Sequence, residues 1–247
     1  MLKINRCELI LELIKKNKKN NIEVEELIKE LKVSEATIRR DLTFLEECGK
    51  IKRVYGGAIL IDNEEEVLLY KKEINSKEKN KIAKLAVSLI NNGDKIYLDA
   101  GSTVFAMIKY LPTLKNIKVI TNGIAHIEEL NNYKIESYLI GGKIKMKTGA
   151  LVGGTAAMSL KNFNFDYAFM GANAVDINGY STPDTEEAAI KNEAYLKAKK
   201  SYFLCDNSKF NKLCLINFAS LESSYLITDK NPSEEIKNKV KKLYIAK

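Results

Sequence analysis

Five basic side chains lie close together in one short stretch of the chain: Arg39, Arg40, Lys50, Lys52 and Arg53. An arginine guanidinium can bond phosphate oxygens, or the O6 and N7 atoms of guanine in a DNA major groove. The formal net charge of +8 also favours a polyanionic partner. The chemistry that this cluster predicts is the binding of double-stranded DNA.

A second group of polar residues follows a series of predicted strands and suits a small anion. Glycines let a backbone approach a ligand closely, hydroxyls and N–H groups can bond an anion, and Lys143 and Lys209 supply positive charge. Any one of these loops is more simply a turn, but their recurrence predicts a site for a phosphate with a polyhydroxyl body. The residues are Asp99, Gly101, Ser102, Thr103, Thr121, Asn122, Gly123, Gly141, Gly142, Lys143, Gly171, Asn173, Asp206 and Lys209.

Three further charged residues surround the start of a predicted long helix. Pro183 and Asp184 break the chain, and Glu187 and Lys191 then stand one helical turn apart. Such a pair is usually a surface ion pair worth roughly a few tenths of a kcal/mol. If the start of the helix faces the strand ends instead, Asp184, Glu187 and Lys191 could bond sugar hydroxyls.

No metal or nucleotide cofactor is expected. Cys7, Cys48, Cys205 and Cys214 have no C-x-x-C spacing and His126 is the single histidine, so reduced thiols and no metal site are predicted. Neither a Walker P-loop nor a GxGxxG motif occurs. We find no apolar run long enough to span a bilayer and no signal peptide, which predicts a cytoplasmic protein.

The basic cluster is positioned by elements that read as a winged helix-turn-helix. In residues 34–47, Ile38, Leu42 and Leu45 form one apolar stripe of a predicted recognition helix. Ser34 is a suitable N-cap and Gly49 a suitable end. Two upstream apolar stripes predict two more helices, at Leu9, Ile10, Leu13 and Ile14 and at Val24, Leu27, Ile28 and Leu31. Residues 51–54 alternate before a Tyr-Gly-Gly corner and predict a hairpin wing.

Beyond residue 80, strand and helix patterns alternate. Strands are predicted over 95–99, 117–121, 136–141, 166–171, 201–206 and 224–229, and helices over 103–110, 124–130, 156–160 and 186–200. This alternation predicts a Rossmann-like parallel sheet covered on both faces, with ligands beyond the carboxyl ends of its strands. A last helix is predicted over 232–244, with Pro232 in its first turn.

These patterns divide the 247 residues into three parts. Residues 1–60 are the predicted winged helix-turn-helix DNA-binding domain, and residues 81–247 are an α/β effector-sensing domain. Residues 61–80 are a charged linker leading into a helix. The acidic run 64–66 within it is a solvated face or, alternatively, touches the basic wing.

The chain resembles the DeoR family of bacterial transcription regulators. SEATIRRDLTFLEECGKIKRVYGGA is similar to the family's winged helix, and IYLDAGST, VITNG, LIGG, ALVGG, DYAFMGAN, GYSTPDTEEAAIK and DNSKF resemble its sensor domain in the same order. The resemblance implies a repressor of a sugar-uptake or sugar-catabolism operon that responds to a phosphorylated sugar. It also implies a sensor fold similar to ribose-5-phosphate isomerase.

The resemblance carries over a set of DNA-reading positions. Arg39 and Arg40 lie on the recognition helix, and Lys52, from the basic cluster, is expected to contact phosphate at the wing. The full set is Ser34, Thr37, Arg39, Arg40, Lys52, Arg53 and Tyr55. One departure concerns the loop after strand 166–171, where many members carry Asp-Gly and this chain has Asn173-Ala174. An aspartate suited to acid–base work is missing there, which argues against isomerase activity and bears on effector identity.

Three functions remain open from the sequence. The leading one is a homo-oligomeric repressor, a dimer or tetramer, because operators are read as half-sites at fixed spacing. The second is a phosphosugar aldose–ketose isomerase with Asp99, Glu187 or Asp206 as its base, although no neighbour in the sequence argues for a shifted pKa. The third is a constitutive DNA-binding protein whose second domain only dimerises.

Overall fold

The computed structural model describes residues 3–17, 21–47, 50–60 and 75–247. The chain forms two compact units, residues 1–74 and 75–247. The predicted helix end at Gly49, the residue Cys48 and the acidic run 64–66 lie outside the described residues. Within the ranges described, no helix is long and apolar enough to cross a membrane.

The first unit combines a three-helix bundle with a small antiparallel sheet. Its elements are α1 (Lys3–Lys16), β1 (Asn21–Glu23), α2 (Val24–Leu31), α3 (Glu35–Glu47), β2 (Ile51–Val54) and β3 (Gly57–Leu60), with strand order β1-β3-β2. The three predicted helices and the hairpin are confirmed, and Ile10, Ile14, Leu27, Ile38 and Leu42 are fully buried between them. Leu9, expected on the apolar stripe of α1, is 39% exposed.

Strand β1 was not predicted. It pairs with β3 between Ile22 and Ala58, and one apolar residue in three gives no recognisable period. Gly57 permits this pairing, because a Cβ atom there would lie 2.2 Å from the carbonyl oxygen of Ile22.

The second unit is built on a seven-stranded parallel sheet. In chain order its elements are α4 (Ser76–Val87), β4 (Lys95–Leu98), α5 (Ser102–Phe105), a 3-10 turn (Ile108–Thr113), β5 (Lys118–Thr121), α6 (Ile124–Asn132), β6 (Ser137–Leu139), β7 (Lys143–Lys145), β8 (Ala150–Val152), α7 (Gly154–Lys161), β9 (Phe165–Met170), β10 (Ala174–Asp176), β11 (Gly179–Thr182), α8 (Thr185–Lys197), β12 (Ala198–Leu204), a 3-10 turn (Asn207–Lys209), β13 (Ile216–Ala219), β14 (Tyr225–Thr228), α9 (Glu234–Lys239) and β15 (Lys242–Ile245). The order across the sheet is β15-β14-β12-β9-β4-β5-β6. The predicted parallel α/β fold is confirmed.

Both faces of this sheet are covered. Along β4, Ile96 and Leu98 pack into a cluster with α4, α5 and α6, while Tyr97 packs into a cluster with α7, α8 and α9. Two small antiparallel sheets, β7-β8 and β10-β11-β13, were not predicted. Strands of three or four residues carry too few alternations to be recognised.

Three predicted helices are shorter in the structure. The helix expected over 103–110 is α-helical only in α5 (Ser102–Phe105) and is followed by the 3-10 turn Ile108–Thr113. The helix expected over 186–200 ends at Lys197, where β12 begins. The last helix ends at Lys239 because the chain then adds β15 to the edge of the sheet beside β14. Pro232 lies before the N-cap Ser233 rather than in the first turn.

Candidate functional site

The exposed side of α3 carries the predicted recognition residues. Its buried side holds Ile38, Leu42 and Leu45, so Arg39 and Arg40 extend into solvent. The predicted cap is confirmed, because the Thr37 N–H donates to the Ser34 Oγ atom at 3.3 Å. The two hydroxyls of this pair are also 2.9 Å apart, so Ser34 and Thr37 form one polar group at the start of the helix.

The two arginines of α3 differ in their surroundings. Arg39 forms an ion pair with Glu35 one turn earlier, with its Nη2 atom 2.6 Å from Oε1. No carboxylate among the described residues pairs with Arg40. The positive charge of Arg40 is therefore the more available of the two.

The hairpin of β2 and β3 forms a wing beside α3. Tyr55, in the turn, is fully exposed, and Lys52 extends into solvent from β2. Arg53 is half-buried, and its Nη1 atom donates to the Thr43 hydroxyl of α3 at 3.1 Å. Helix and wing thus offer one contiguous polar and basic surface, as a double-helical polyanion requires.

A buried ion pair fixes α3 from behind. Arg6 on α1 bonds both carboxylate oxygens of Asp41, which is 1% exposed. The hydrogen bond to this carboxylate raises the pKa of Arg6 above its ordinary value. Asp41 is thereby turned away from solvent, which keeps a negative charge off the exposed surface of α3.

In the second unit, the chain after β4 meets α8 through a buried ion pair. Lys191 of α8 bonds the carboxylate of Asp99 and donates to the Gly171 carbonyl oxygen at 3.1 Å. The N–H of Gly171 in turn donates to Asp99 at 3.2 Å. These three predicted residues lie together at the carboxyl ends of β4 and β9, where ligands bind in open parallel sheets.

A second cluster surrounds the first turn of α8. Asp184 caps the helix by accepting from the Glu187 N–H at 2.8 Å, and Lys145 of β7 lies 2.8 Å from Asp184 and 2.9 Å from Glu187. The hydroxyls of Thr148 and Thr182 bond Glu187 at 3.2 and 3.4 Å. The interpretation of Glu187 and Lys191 as a surface pair is wrong, because each turns inward to a different partner.

The carboxylates of this cluster stay ionised. Burial alone would raise the pKa of Glu187, but the charge of Lys191 and the bond to Lys145 outweigh it and lower the pKa. For Asp184, burial is likewise outweighed by Lys145 and the helix N–H bonds, so its pKa is also lowered. A proton-transfer base works best with a pKa near neutrality. These groups suit accepting hydrogen bonds from a ligand hydroxyl better than moving protons.

Several predicted residues hold the strand ends in place. The Thr121 hydroxyl donates to the Leu98 carbonyl oxygen at 2.7 Å and lies 2.8 Å from Nδ1 of His126. The amide of Asn122 accepts from the Ala100 N–H and donates to the Leu151 carbonyl oxygen. Both side chains are buried, and their polar atoms are used within the protein.

The remaining predicted residues lie outside these bonded groups, in several different elements and loops. The Oδ1 atom of Asn173 lies 3.1 Å from the Thr182 hydroxyl, whose single proton can go to either Asn173 or Glu187, so Asn173 borders the Glu187 cluster. Lys143 is largely exposed and pairs with Glu186 at 3.3 Å. Gly142, at φ 153°, packs so tightly that a Cβ would lie 2.8 Å from Ala156. The others lie at the ends of β4, β5, β6 and β12: Gly101, Ser102, Thr103, Gly123, Gly141, Asp206 and Lys209.

Sequence reasoning missed Lys145, Thr148 and Thr182. A signal was present for the first, because Lys143 and Lys145 are two residues apart on β7 and therefore share a face. Both reach carboxylates of α8. Thr148 carried no comparable signal, since its partner Glu187 is 39 positions away. Thr182 is only five positions from Glu187, but it lies in a strand that was not predicted.

Two family models match the chain. The DeoR-like helix-turn-helix domain matches residues 6–64, and the DeoR C terminal sensor domain matches residues 74–230.

Three relatives align over most of their own length. The Uncharacterized HTH-type transcriptional regulator FruR of Bacillus subtilis is 42% identical over 92% of this chain and 91% of its own. The Lactose phosphotransferase system repressor of Lactococcus lactis is 38% identical over 86% and 85%. The HTH-type transcriptional repressor GlcR of Bacillus subtilis is 36% identical over 93% and 89%. Among solved structures, ribose 5-phosphate isomerase A of Methanocaldococcus jannaschii aligns with 55% of this chain and 55% of its own, with a TM-score of 0.41 and 22% identity.

Proposed function

Because this chain belongs to the DeoR family of transcriptional regulators, we propose that it represses a sugar-metabolism operon and leaves its operator when a phosphorylated sugar binds. The relatives are named as transcriptional regulators or repressors, so the chain is a DNA-binding regulator and not an enzyme. We assign DNA binding to residues 1–60 and effector sensing to residues 81–247, with residues 61–80 between them.

The surface of α3 and its wing supports the proposed mode of DNA binding, and it is the observation that carries the proposal. Arg40 is exposed on α3 without a carboxylate partner among the described residues, and Lys52 is exposed on the wing. We propose that α3 enters the major groove and the wing lies on the backbone. The contacting residues are then Ser34, Thr37, Arg39, Arg40, Lys52, Arg53 and Tyr55.

The strand ends of the second unit support a phosphorylated sugar as effector. The ionised carboxylates of Asp184 and Glu187 can accept hydrogen bonds from sugar hydroxyls, while Lys143 and Lys209 can attract a phosphate. The name of the Lactococcus lactis relative, a repressor of a lactose phosphotransferase system, supports the link to sugars. We propose that the effector lies among the predicted strand-end residues, with Lys145, Thr148 and Thr182 added to them.

Release from DNA follows from the reading of half-sites. A dimer binds two half-sites whose spacing is fixed by the DNA helix, so a small reorientation between two DNA-binding units prevents both from binding at once. We propose that the protein acts as a homo-oligomer and that effector binding produces this reorientation. The effector and the operator would then each lower the affinity of the chain for the other by the same factor.

The test starts from an operator duplex that the full chain selects from a random DNA library. The apparent melting temperature of the full chain is measured against phosphorylated pentoses and hexoses, with the same sugars unphosphorylated as controls. A ligand that binds only the folded chain raises this temperature. The ligand that raises the melting temperature should also release the protein from the selected duplex.

The alternatives predict different results. If no phosphorylated sugar shifts the melting temperature or releases the duplex, the chain is a constitutive DNA-binding protein and the proposed effector class is wrong. If unphosphorylated sugars act as well as their phosphates, the phosphate is not recognised.

A further inference from the structure

Thr43 connects the recognition helix to the wing. Its hydroxyl donates to the Arg39 carbonyl oxygen one turn earlier at 2.8 Å, and it accepts from Nη1 of Arg53 on β2 at 3.1 Å. A threonine hydroxyl has one proton and two lone pairs, so both bonds can form at once. Because the hydroxyl proton of Thr43 bonds within α3, the hydroxyl oxygen acts toward the wing as a hydrogen-bond acceptor.

A second bond from α3 holds the same residue of the wing. The Glu46 carboxylate accepts from the backbone N–H of Arg53 at 2.8 Å. Thr43 and Glu46 are three residues apart and therefore neighbours on one side of the helix. Arg53 is thus fixed by its main chain to Glu46 and by its guanidinium to Thr43.

The charge of Arg53 is not neutralised by these contacts. Glu46 bonds the main chain, and the Thr43 hydroxyl that bonds the guanidinium is neutral. In the part of the chain that the structure describes, no carboxylate forms an ion pair with Arg53. This contrasts with Arg39, whose charge is paired with Glu35.

We propose that Thr43 is a positioning residue for DNA binding, which holds the Arg53 guanidinium beside α3 where a backbone phosphate completes its bonding. An arginine side chain loses much rotamer freedom when it is fixed on a ligand. Because Thr43 fixes it before DNA arrives, less freedom is lost on binding. The inference rests on the proposed placement of α3 and the wing against DNA.

The test is a double-mutant cycle in the full chain with Thr43→Val and Arg53→Gln. Valine keeps the branched shape of threonine and replaces the hydroxyl with a methyl group. Affinity for the selected duplex is measured by fluorescence anisotropy at several salt concentrations, and the melting temperature of each variant confirms that it folds. We expect Thr43→Val to weaken binding about 10-fold. Thr43→Ser, which keeps the hydroxyl, should restore most of the affinity.

The salt dependence separates positioning from mere packing. Arg53→Gln should make the slope of log affinity against log salt shallower by about one unit, as for one lost phosphate contact. Thr43→Val should also make the slope shallower although it removes no charge, and it should have no further effect once Arg53 is glutamine. Lys52→Gln is the matched control on the same strand, and its effect should add to that of Thr43→Val.

One result would contradict the proposed wing surface, and another would contradict the role of Thr43. If Arg53→Gln leaves both affinity and slope unchanged, the proposed wing surface is wrong. If Arg53→Gln weakens binding but Thr43→Val adds its full effect on top, or leaves the slope at its original value, then Thr43 does not act through Arg53 and the inference fails.

Discussion

The guanidinium of Arg39 lies 2.6 Å from the Glu35 carboxylate on the exposed side of α3, whereas the adjacent Arg40 has no carboxylate partner among the described residues. Both members of the pair are about half exposed, at 55% each. An exposed pair one turn apart stabilises a helix by roughly 0.2–0.5 kcal/mol. A DNA phosphate can therefore compete for Arg39, but Arg40 is available without competition.

Replacement of Arg40 by alanine should weaken binding of the selected duplex by about 1–3 kcal/mol and relax the base preference at one position. The physical reason is that an uncompensated guanidinium is lost from the surface proposed to face bases. Competition binding against single-base variants of the duplex measures both effects. Arg39→Ala is the matched control and should cost less. If Arg40→Ala binds as tightly as the original chain at moderate salt, this side of α3 does not face DNA.

The change Glu35→Gln should strengthen binding to all duplexes alike. It removes the negative charge that competes with phosphate for Arg39, so the salt slope should become steeper by up to about one unit. Glu30→Gln removes the same charge from an exposed position of α2 and is the control. Equal effects of the two changes would mean that only the overall charge matters.

Lys191→Met should destabilise the second unit by about 3–5 kcal/mol, because it leaves the buried carboxylate of Asp99 without its cation. Adding Asp99→Asn should recover much of this loss, since no buried charge then remains. Urea unfolding of the full chain, followed by far-UV circular dichroism, measures the free energy of unfolding. The exposed Lys199–Asp166 pair is the control, and Lys199→Met should leave the free energy of unfolding nearly unchanged because water screens an exposed pair. Similar losses for the two lysines would contradict the importance of burial.

Glu187→Gln should make the stability of the folded chain depend less on pH under acidic conditions. The pKa of Glu187 is lowered in the folded chain, so the stabilisation it gives is present above its ordinary pKa of 4.5 and is lost as pH falls through the lowered value. Glutamine cannot titrate, so this variant should be less stable at pH 7 but lose less stability on acidification below that ordinary value. Melting temperatures across this range test the prediction. Parallel curves for the two proteins would show that Glu187 does not titrate with unfolding.

The parallel sheet and the winged unit were predicted well from the sequence, because the spacing of apolar residues within short segments indicates both. Runs such as residues 95–99 and 201–206 are apolar enough to be recognised as buried strands. Ile38 and Leu42 similarly mark the buried side of α3, and the Ser34 cap needs only neighbours in the chain. Each of these features is encoded within one turn or one strand.

The features that were missed depend on contacts between distant segments. Strand β1 exists because Ile22 pairs with β3, and β15 exists because β14 offers a free sheet edge. Lys145 bonds Glu187 across 42 positions of the chain, and its spacing from Lys143 indicates a shared face of β7 but not this partner. The sequence left Lys191 either in a surface pair or at the strand ends, and local pattern could not decide between them because its partner Asp99 lies 92 positions away.

The buried pair of Asp99 and Lys191 also constrains how this chain can evolve. A single substitution at either position leaves the other charge buried and unpaired. The two positions are therefore difficult to change one at a time. Among distant relatives, the two sites should therefore covary. A substitution at only one of the two sites would be selected against even in relatives that respond to a different effector.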